Sequence, residues 1–263
     1  HRPDAGCLLY QQAASIAEYQ LADRPMAASY WQIAAELASK EPPLDDAPLF
    51  WFHAGRLWHD SGDSTRAYAA LGRSVESGGA NLPRLTPLLA ELAYTLGDLE
   101  AAALYYRRAL DAGQVPVNGR AQAYLRIAES ARQLSDAQME EQALERAVEF
   151  GGGAQAWPKL CALFRLQDDR ERLGAALLAW ADYEPPHQRI SLLHEAASLV
   201  SPLLLPRIDE ELMLLEGDDE TVRDRLVARL TESGDRRELL EALRRDVERS
   251  HGPRRRQRAE ELI

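Results

Sequence analysis

The chain has 263 residues, of which 46% are hydrophobic and 28% are charged. This composition is that of a folded globular protein and excludes an intrinsically disordered chain. The formal net charge of -11 argues against nucleic acid as the main partner, because binding to phosphates requires clustered positive charge. The sequence contains no apolar run long enough for a membrane-spanning helix, so it predicts no membrane span.

The chain contains two cysteines, Cys7 and Cys161. Two cysteines this far apart are too few for a disulfide framework, which predicts a reducing or redox-indifferent setting. This usage favours a cytoplasmic location, with a periplasmic or surface-attached location as the alternative.

The first predicted hairpin turns near Ala22 and Asp23. Small and aromatic residues follow at helical spacing in its second helix, at Ala27, Trp31 and Ala34. Residues 41–48 contain three prolines and predict a longer link and a bend before the next hairpin.

The second and third hairpins are the most regular. In the second, Trp51 and Gly55 lie in the first helix, Gly62 marks the turn and Ala67 follows in the second helix. In the third, over residues 82–116, leucines repeat at intervals of three and four and predict an apolar helix face. Its turn and close-packing residues are Gly97, Asp98, Ala90, Ala102, Tyr106 and Ala109. Glycine favours the left-handed conformation that ends a helix, and an aspartate can cap the next helix.

The later hairpins follow the same frame with one departure. Ala128 and Ala147 are the small residues of the fourth, and Trp157 is the early aromatic of the fifth. The sixth, over residues 185–217, is predicted to be irregular, because Pro206 falls inside its second helix and His194 falls at a small-residue position. The seventh covers residues 219–250, with Asp235 and Glu238 as a capping box. Residues 254–263 predict the opening of a truncated further helix.

The turn residues define a period. Gly62, Gly97, Ser135 and Asp168 recur at intervals of 33–38 residues, and Gly234 lies two such intervals further on. A helix-turn-helix unit repeated at this period is typical of helical repeat arrays.

The pattern resembles the tetratricopeptide repeat (TPR) family over most of the chain. The clearest matches are Trp51 with Gly55, and Ala90 with Ala102, Tyr106 and Ala109. The resemblance implies an all-α, right-handed α-solenoid of about seven TPR-like helix-turn-helix repeats. We expect these repeats to form a single domain over residues 1–263, in which each hairpin contacts mainly its neighbours.

No residue pattern indicates catalysis. The histidine pairs His53 with His59 and His187 with His194 lack the three-or-four-residue spacing of a helical metal site. The glycine run at residues 151–153 is not followed by the lysine of a phosphate-binding loop. We therefore expect no enzyme activity, no cofactor and no metal.

The first helices are expected to line a groove that binds a partner. The predicted groove residues are Phe52, Arg56, His59, Glu91, Tyr94, Leu125, Arg126, Glu129, Arg132, Lys159 and Arg165. This set is locally basic and interleaved with aromatic residues, which favours an acidic peptide or protein. The simpler interpretation is that the arginines are solvated or pair with groove glutamates such as Glu129.

Three functions are compatible with this sequence. The first is a non-catalytic scaffold that holds a peptide or partner protein, which is also what the resemblance implies. The second is a regulatory or assembly segment of a larger protein whose activity lies outside this chain. The third, an enzyme on a helical scaffold, would need a polar site that the sequence does not indicate.

Overall fold

The computed structural model describes residues 5–40, 44–79, 82, 84–201, 204–216, 220–233, 236–249, 255–256 and 259. Within these residues the regular secondary structure is helical and forms fourteen α-helices. The helices are α1 (Ala5–Tyr19), α2 (Arg24–Ala38), α3 (Ala47–Asp60), α4 (Ser64–Glu76), α5 (Leu85–Leu96), α6 (Leu99–Asp111), α7 (Val117–Gln133), α8 (Ala137–Glu149), α9 (Gly153–Gln167), α10 (Arg170–Ala181), α11 (Pro186–Ala197), α12 (Leu205–Glu216), α13 (Glu220–Ser233) and α14 (Arg236–Arg249). The predicted all-α class is confirmed.

The chain divides into two compact units, His1–Gly152 and Gly153–Ile263. The first contains α1 to α8 and the second α9 to α14. Inside each unit, every helix packs against the helix before it and the helix after it. A core shared only between sequence neighbours is the hallmark of a repeat array. The described helices form seven hairpins, as the sequence period predicts.

Five hairpins turn in the same way. The residue at the turn has a left-handed backbone, with φ values of 53°, 87°, 81°, 60° and 54° at Ala22, Gly62, Gly97, Ser135 and Asp168. An aspartate always follows, and its side chain accepts a hydrogen bond from the amide three residues later. The capping residues are Asp23, Asp63, Asp98, Asp136 and Asp169. A side-chain oxygen at this position satisfies one of the free amides of the new helix.

Small residues bring the two helices of a hairpin together. A Cβ added to Gly55 would lie 2.6 Å from the Leu71 side chain, so α3 and α4 meet at van der Waals distance. The other small repeat residues are fully or almost fully buried, namely Ala67, Ala90, Ala102, Ala109, Ala128 and Ala147. Trp51 and Tyr106 are also buried, whereas Trp157 is only half-buried.

The link before α3 is shorter than the three prolines suggest. Residues 41–43 lie outside the described part of the chain, but α3 already begins at Ala47. Pro48 therefore belongs to the first helical turn, where a missing amide costs nothing. The predicted bend at residues 41–48 stays a prediction.

The sixth hairpin departs from the frame. Helix α11 ends at Ala197 and α12 begins at Leu205, so Pro206 lies in the first turn of α12 and not in its middle. His194, which falls at the small-residue position of the repeat, is exposed, in agreement with the predicted irregularity. Leu193 and Ala196 supply the buried contacts instead.

The seventh hairpin has its own small core of Leu226, Leu230 and Ala242. Gly234 and Asp235 lie outside the described residues, as do most of residues 254–263. The predicted capping box and the predicted further helix therefore stay predictions. No helix in the described part of the chain is long and apolar enough to cross a membrane.

Candidate partner-binding site

One surface of the first unit collects most of the residues predicted to bind a partner. In each first helix, the residues ten, six and three positions before the left-handed turn residue share one side of the helix. We call this surface the first-helix face. It consists of Gln12, Ile16 and Tyr19 on α1, Phe52, Arg56 and His59 on α3, Pro87, Glu91 and Tyr94 on α5, and Leu125, Glu129 and Arg132 on α7. We include in it two residues that border these positions, Leu9, seven residues before Ile16, and Arg126, three residues before Glu129. Leu125 is buried, so it packs inside the unit.

Arg56 on α3 is neutralised by two carboxylates. Its Nη2 lies 2.5 Å from Oε1 of Glu18 on α1, and its Nη1 lies 3.5 Å from Oδ2 of Asp60. The Glu18 pair crosses from one hairpin to the preceding one. This arginine therefore adds little net positive charge to the face.

Arg126 on α7 is held differently. Its guanidinium carbon lies 4.3 Å from the centre of the Tyr94 ring on α5, which is a cation–π contact. Within the described residues Arg126 has no ion pair.

Glu91 on α5 has a partner on the second helix of its own hairpin. The Tyr106 hydroxyl donates a 3.4 Å hydrogen bond to Oε1 of Glu91. Burial and the nearby Glu91 carboxylate raise the pKa of Tyr106, so it remains a donor at neutral pH.

Glu129 and Arg132 complete the charged end of the face. Glu129 is half-buried and accepts a 3.3 Å hydrogen bond from Nε2 of Gln133. Arg132 is exposed, and the described part of the chain offers it no ion pair. Glu129 lies three residues from each arginine, Arg126 and Arg132. This end of α7 thus carries two arginines and one glutamate at intervals of three residues.

The second unit holds two further predicted groove residues, Lys159 and Arg165 on α9. Nε and Nη2 of Arg165 lie 3.3 and 2.7 Å from Oε1 of Glu195 on α11. Lys159 is half-buried. Arg165, like Arg56, pairs with a glutamate of an adjacent hairpin.

His53 is half-buried beside the face. Its ring stacks on Trp31, with the ring centres 4.7 Å apart and the planes at 25°. Nδ1 of His53 and Nε1 of Trp31 have no hydrogen-bond partner among the described residues. Burial lowers the pKa of His53, and Arg56 lowers it further, whereas Glu18 opposes the shift. Among the described residues, no three His, Cys, Asp or Glu side chains are placed to hold a metal ion.

The tryptophans of α3 are packing residues. Trp51 and Trp58 are buried, and their ring nitrogens donate to Oγ of Ser39 and Oε1 of Gln32. The guanidinium groups of Arg73 and Arg66 cover their rings at 4.8 and 4.7 Å. Their ring faces are therefore already occupied.

The structure adds an apolar stripe on α1 that sequence reasoning missed. Leu8, Leu9, Ile16 and Tyr19 are exposed large apolar side chains. The signal was available, because counting ten, six and three residues back from Ala22 reaches Gln12, Ile16 and Tyr19. The turn that the sequence predicts near Ala22 fixes this register.

No protein-family model matches the sequence, and no curated protein matches it either. The fold is nevertheless similar to that of solved structures. YrrB, described as a TPR protein with an unusual peptide-binding site, superposes with a TM-score of 0.50 at 17% identity, over 74% of this chain and 92% of YrrB. MamA 41-end from Desulfovibrio magneticus RS-1 gives a TM-score of 0.46 at 15% identity, over 68% of this chain and 94% of that one.

A tetratricopeptide repeat protein from Parabacteroides merdae ATCC 43184 covers 98% of both chains, with a TM-score of 0.43 at 12% identity. At such low identities similarity concerns the fold alone. The repeated hairpins, the left-handed turns and the likeness to YrrB lead to one conclusion. The chain has the tetratricopeptide repeat fold.

Proposed function

We propose that this chain is a non-catalytic scaffold that binds a peptide or a segment of another protein on the first-helix face. In this proposal Arg126 and Arg132 receive an acidic group of the partner. The fold supports the class of activity, since YrrB, which shares it, is described as having a peptide-binding site. Repeat folds of this kind offer extended surfaces rather than enclosed reaction chambers.

The observation that carries the proposal is the stacking of Arg126 on Tyr94 at 4.3 Å. A guanidinium group that lies on an aromatic ring is fixed in orientation and weakly hydrated. Its N–H edges then remain available to an acceptor. A partner carboxylate would form charge-assisted hydrogen bonds there without ordering a flexible side chain first.

The distribution of charge explains why the acidic group belongs at α7. Arg56 is already paired with Glu18 and Asp60. On α7 itself, by contrast, Arg126 and Arg132 outnumber the carboxylate of Glu129, and the nearby Glu91 of α5 already accepts the Tyr106 hydrogen bond. A partner carboxylate therefore meets two arginines on this helix, on a protein that is acidic as a whole.

Arg132→Glu tests this proposal. The probe is a synthetic fluorescein-labelled peptide of alternating glutamate and serine, titrated with protein and followed by fluorescence anisotropy at low salt. We expect the variant to weaken binding about tenfold, and we expect wild-type affinity to fall with added salt, because the contacts are partly exposed. The thermal midpoint should not change.

Arg107→Glu is the matched control. Arg107 is an exposed arginine on α6, a second helix, so its reversal changes the net charge equally without touching the face. Its affinity should equal that of the wild type. Equal affinities of the wild type and Arg132→Glu would refute the proposed site. An equal loss of affinity in Arg132→Glu and Arg107→Glu would also refute it, because net charge alone would then explain the effect.

A further inference from the structure

We infer that the partner segment has two chemically different ends, an apolar end bound by α1 and an acidic end bound by α7. This inference rests on the proposed function and specifies the partner of the same face. It is carried by the opposite character of the two ends of the first-helix face. The apolar end is formed by Leu9, Ile16 and Tyr19, and the acid-binding end by Arg126 and Arg132.

The apolar side chains on α1 are open to solvent. Leu9 is 66% exposed, Ile16 46% and Tyr19 78%. Helix α1 already buries a separate stripe of Cys7, Ala14 and Ala17 in the core. The exposed stripe lies on the other side of the helix, so folding of the unit does not use it. A cluster of exposed large apolar groups gains free energy when a partner covers it.

The stripe is not the side on which helices of this array pack against each other. In α3, Phe50 and His53 face Trp31 on the preceding helix α2. Their counterparts on α1, counted back from the turn, are Tyr10 and Ala13. Tyr10 approaches Tyr30 of α2, with ring centres 6.2 Å apart. Ile16 and Tyr19 correspond instead to Arg56 and His59, which belong to the first-helix face.

A recess continues the apolar end of the face. It has a volume of about 860 Å³ and is lined in part by Tyr19, Leu21, Pro25 and Leu57. Leu21 is also largely exposed. The charged groups at its edge include Arg56 and Glu18, which neutralise each other. Arg24 also lines the recess, where it donates a 3.3 Å hydrogen bond to the carbonyl oxygen of Asp60. The carboxylates of Glu18, Asp23 and Asp60 outnumber the two arginines of this lining, so a further carboxylate from a partner is not favoured there.

The distance between the two ends sets the length of the partner segment. Helices α1 and α7 are the first helices of hairpins three repeats apart. With roughly 10 Å between packed helices, the face spans on the order of 30 Å. An extended chain covers about 3.3 Å per residue, so about ten residues reach from one end to the other.

Three synthetic peptides of about this length test the inference. The complete peptide carries leucines at one end, glutamates at the other and glycine-serine between them. In the second peptide serines replace the leucines, and in the third glutamines replace the glutamates. Each is made in both sequence orders, so that a segment can bind in either chain direction. The protein variants are Ile16→Ser combined with Tyr19→Ser, and Arg132→Glu.

Leu166→Ser is the matched control for the apolar variant. Leu166 is 87% exposed and lies in the second unit, so its replacement removes an equally accessible apolar group elsewhere. Circular dichroism and a thermal melt establish that each variant is folded. Fluorescence anisotropy gives the affinities, and sedimentation velocity gives the oligomeric state without peptide.

In the wild type and in Leu166→Ser, we expect the complete peptide to bind about fivefold tighter than the serine peptide, in one of the two sequence orders. The variant with Ile16→Ser and Tyr19→Ser should lose this advantage. Arg132→Glu should weaken the binding of both peptides and keep the ratio of their affinities.

Equal wild-type affinities for the complete and the serine peptide, with Arg132→Glu still weakening binding, would overturn the inference and leave the proposed function standing. Absence of any Arg132 effect would remove the proposed function itself. A wild-type dimer that Ile16→Ser with Tyr19→Ser dissociates would assign the stripe to a second copy and overturn the inference.

Discussion

The Tyr68 hydroxyl donates a 2.9 Å hydrogen bond to Oδ2 of Asp98. Tyr68 lies on α4, the second helix of one hairpin, and Asp98 lies in the turn of the next. The other oxygen of Asp98 accepts a hydrogen bond from the Ala101 amide at 3.2 Å and caps α6. Burial raises the pKa of Tyr68, and Asp98 raises it further, so the phenol keeps its proton. One carboxylate thus caps its own helix and joins two repeats.

Tyr68→Phe should lower the free energy of unfolding by about 0.5–1.5 kcal/mol, because it removes one hydrogen bond between repeats. Urea denaturation measures the change. Asp98→Ala should lower the free energy of unfolding by more, since it removes the helix cap as well as this hydrogen bond. Asp136→Ala is its control, because Asp136 caps α8 through the same type of hydrogen bond. Equal costs for the two alanine variants would show that the Tyr68 bond contributes nothing.

Alanine substitutions at Gly55 and Gly72 should change the free energy of unfolding in opposite directions. A Cβ at Gly55 would lie 2.6 Å from Leu71, a fully buried side chain that cannot move aside freely. Gly55→Ala should therefore destabilise by roughly 1–3 kcal/mol. A Cβ at Gly72, inside α4, meets nothing within 4 Å. Gly72→Ala should stabilise by about 0.5–1 kcal/mol, because alanine is the better helix former.

Thermal melts of the two single variants measure these stability changes. Stabilisation by Gly55→Ala would mean that α3 and α4 are not in close contact at this point.

Replacing Ala22 by glycine should stabilise the protein. Its φ of 53° is costly for a residue with a Cβ and costs glycine nothing. The strain relieved exceeds the entropy that glycine adds to the unfolded chain, so Ala22→Gly should stabilise by roughly 0.5 kcal/mol. Ala112, at the end of α6, has a right-handed backbone with φ of -77°. Ala112→Gly should destabilise, and a shared sign for both variants would contradict the argument. Urea midpoints provide the comparison.

The stability of the first unit should fall in mild acid because of His53. Its pKa is lowered in the folded protein by burial first and by Arg56 second. The unfolded chain protonates this imidazole near its ordinary pKa of about 6.5, whereas the folded chain does so only at lower pH. Below about pH 6.5 the unfolded state therefore binds more protons, and the free energy of unfolding decreases as the pH falls.

His53→Phe keeps an aromatic ring against Trp31 and removes the titration. Urea melts across this pH range should show a weaker pH dependence in His53→Phe than in the wild type. His59→Asn, which replaces an exposed histidine of the same helix, should keep the wild-type dependence. An identical pH dependence in all three proteins would exclude His53 as the source.

The sequence by itself determined the repeat and its turns. A left-handed residue followed by a capping aspartate is a local device, in which the aspartate bonds to an amide three residues away. Such signals lie within a few neighbouring positions, so counting along the chain located them. The sixth hairpin, which the sequence predicts to be irregular because of Pro206 and His194, does depart from the frame, with α11 ending at Ala197 and His194 exposed.

Only the tertiary structure decided what the charged residues do. Arg56 and Arg165 look alike in sequence as groove arginines, and each is paired with a glutamate 38 or 30 positions away. Arg126 instead lies on the ring of Tyr94 in the preceding hairpin. The exposure of Ile16 and Tyr19 likewise depends on which side of α1 the neighbouring helices cover. Charge pairing and exposure result from contacts between repeats, and these contacts join residues that no local pattern connects.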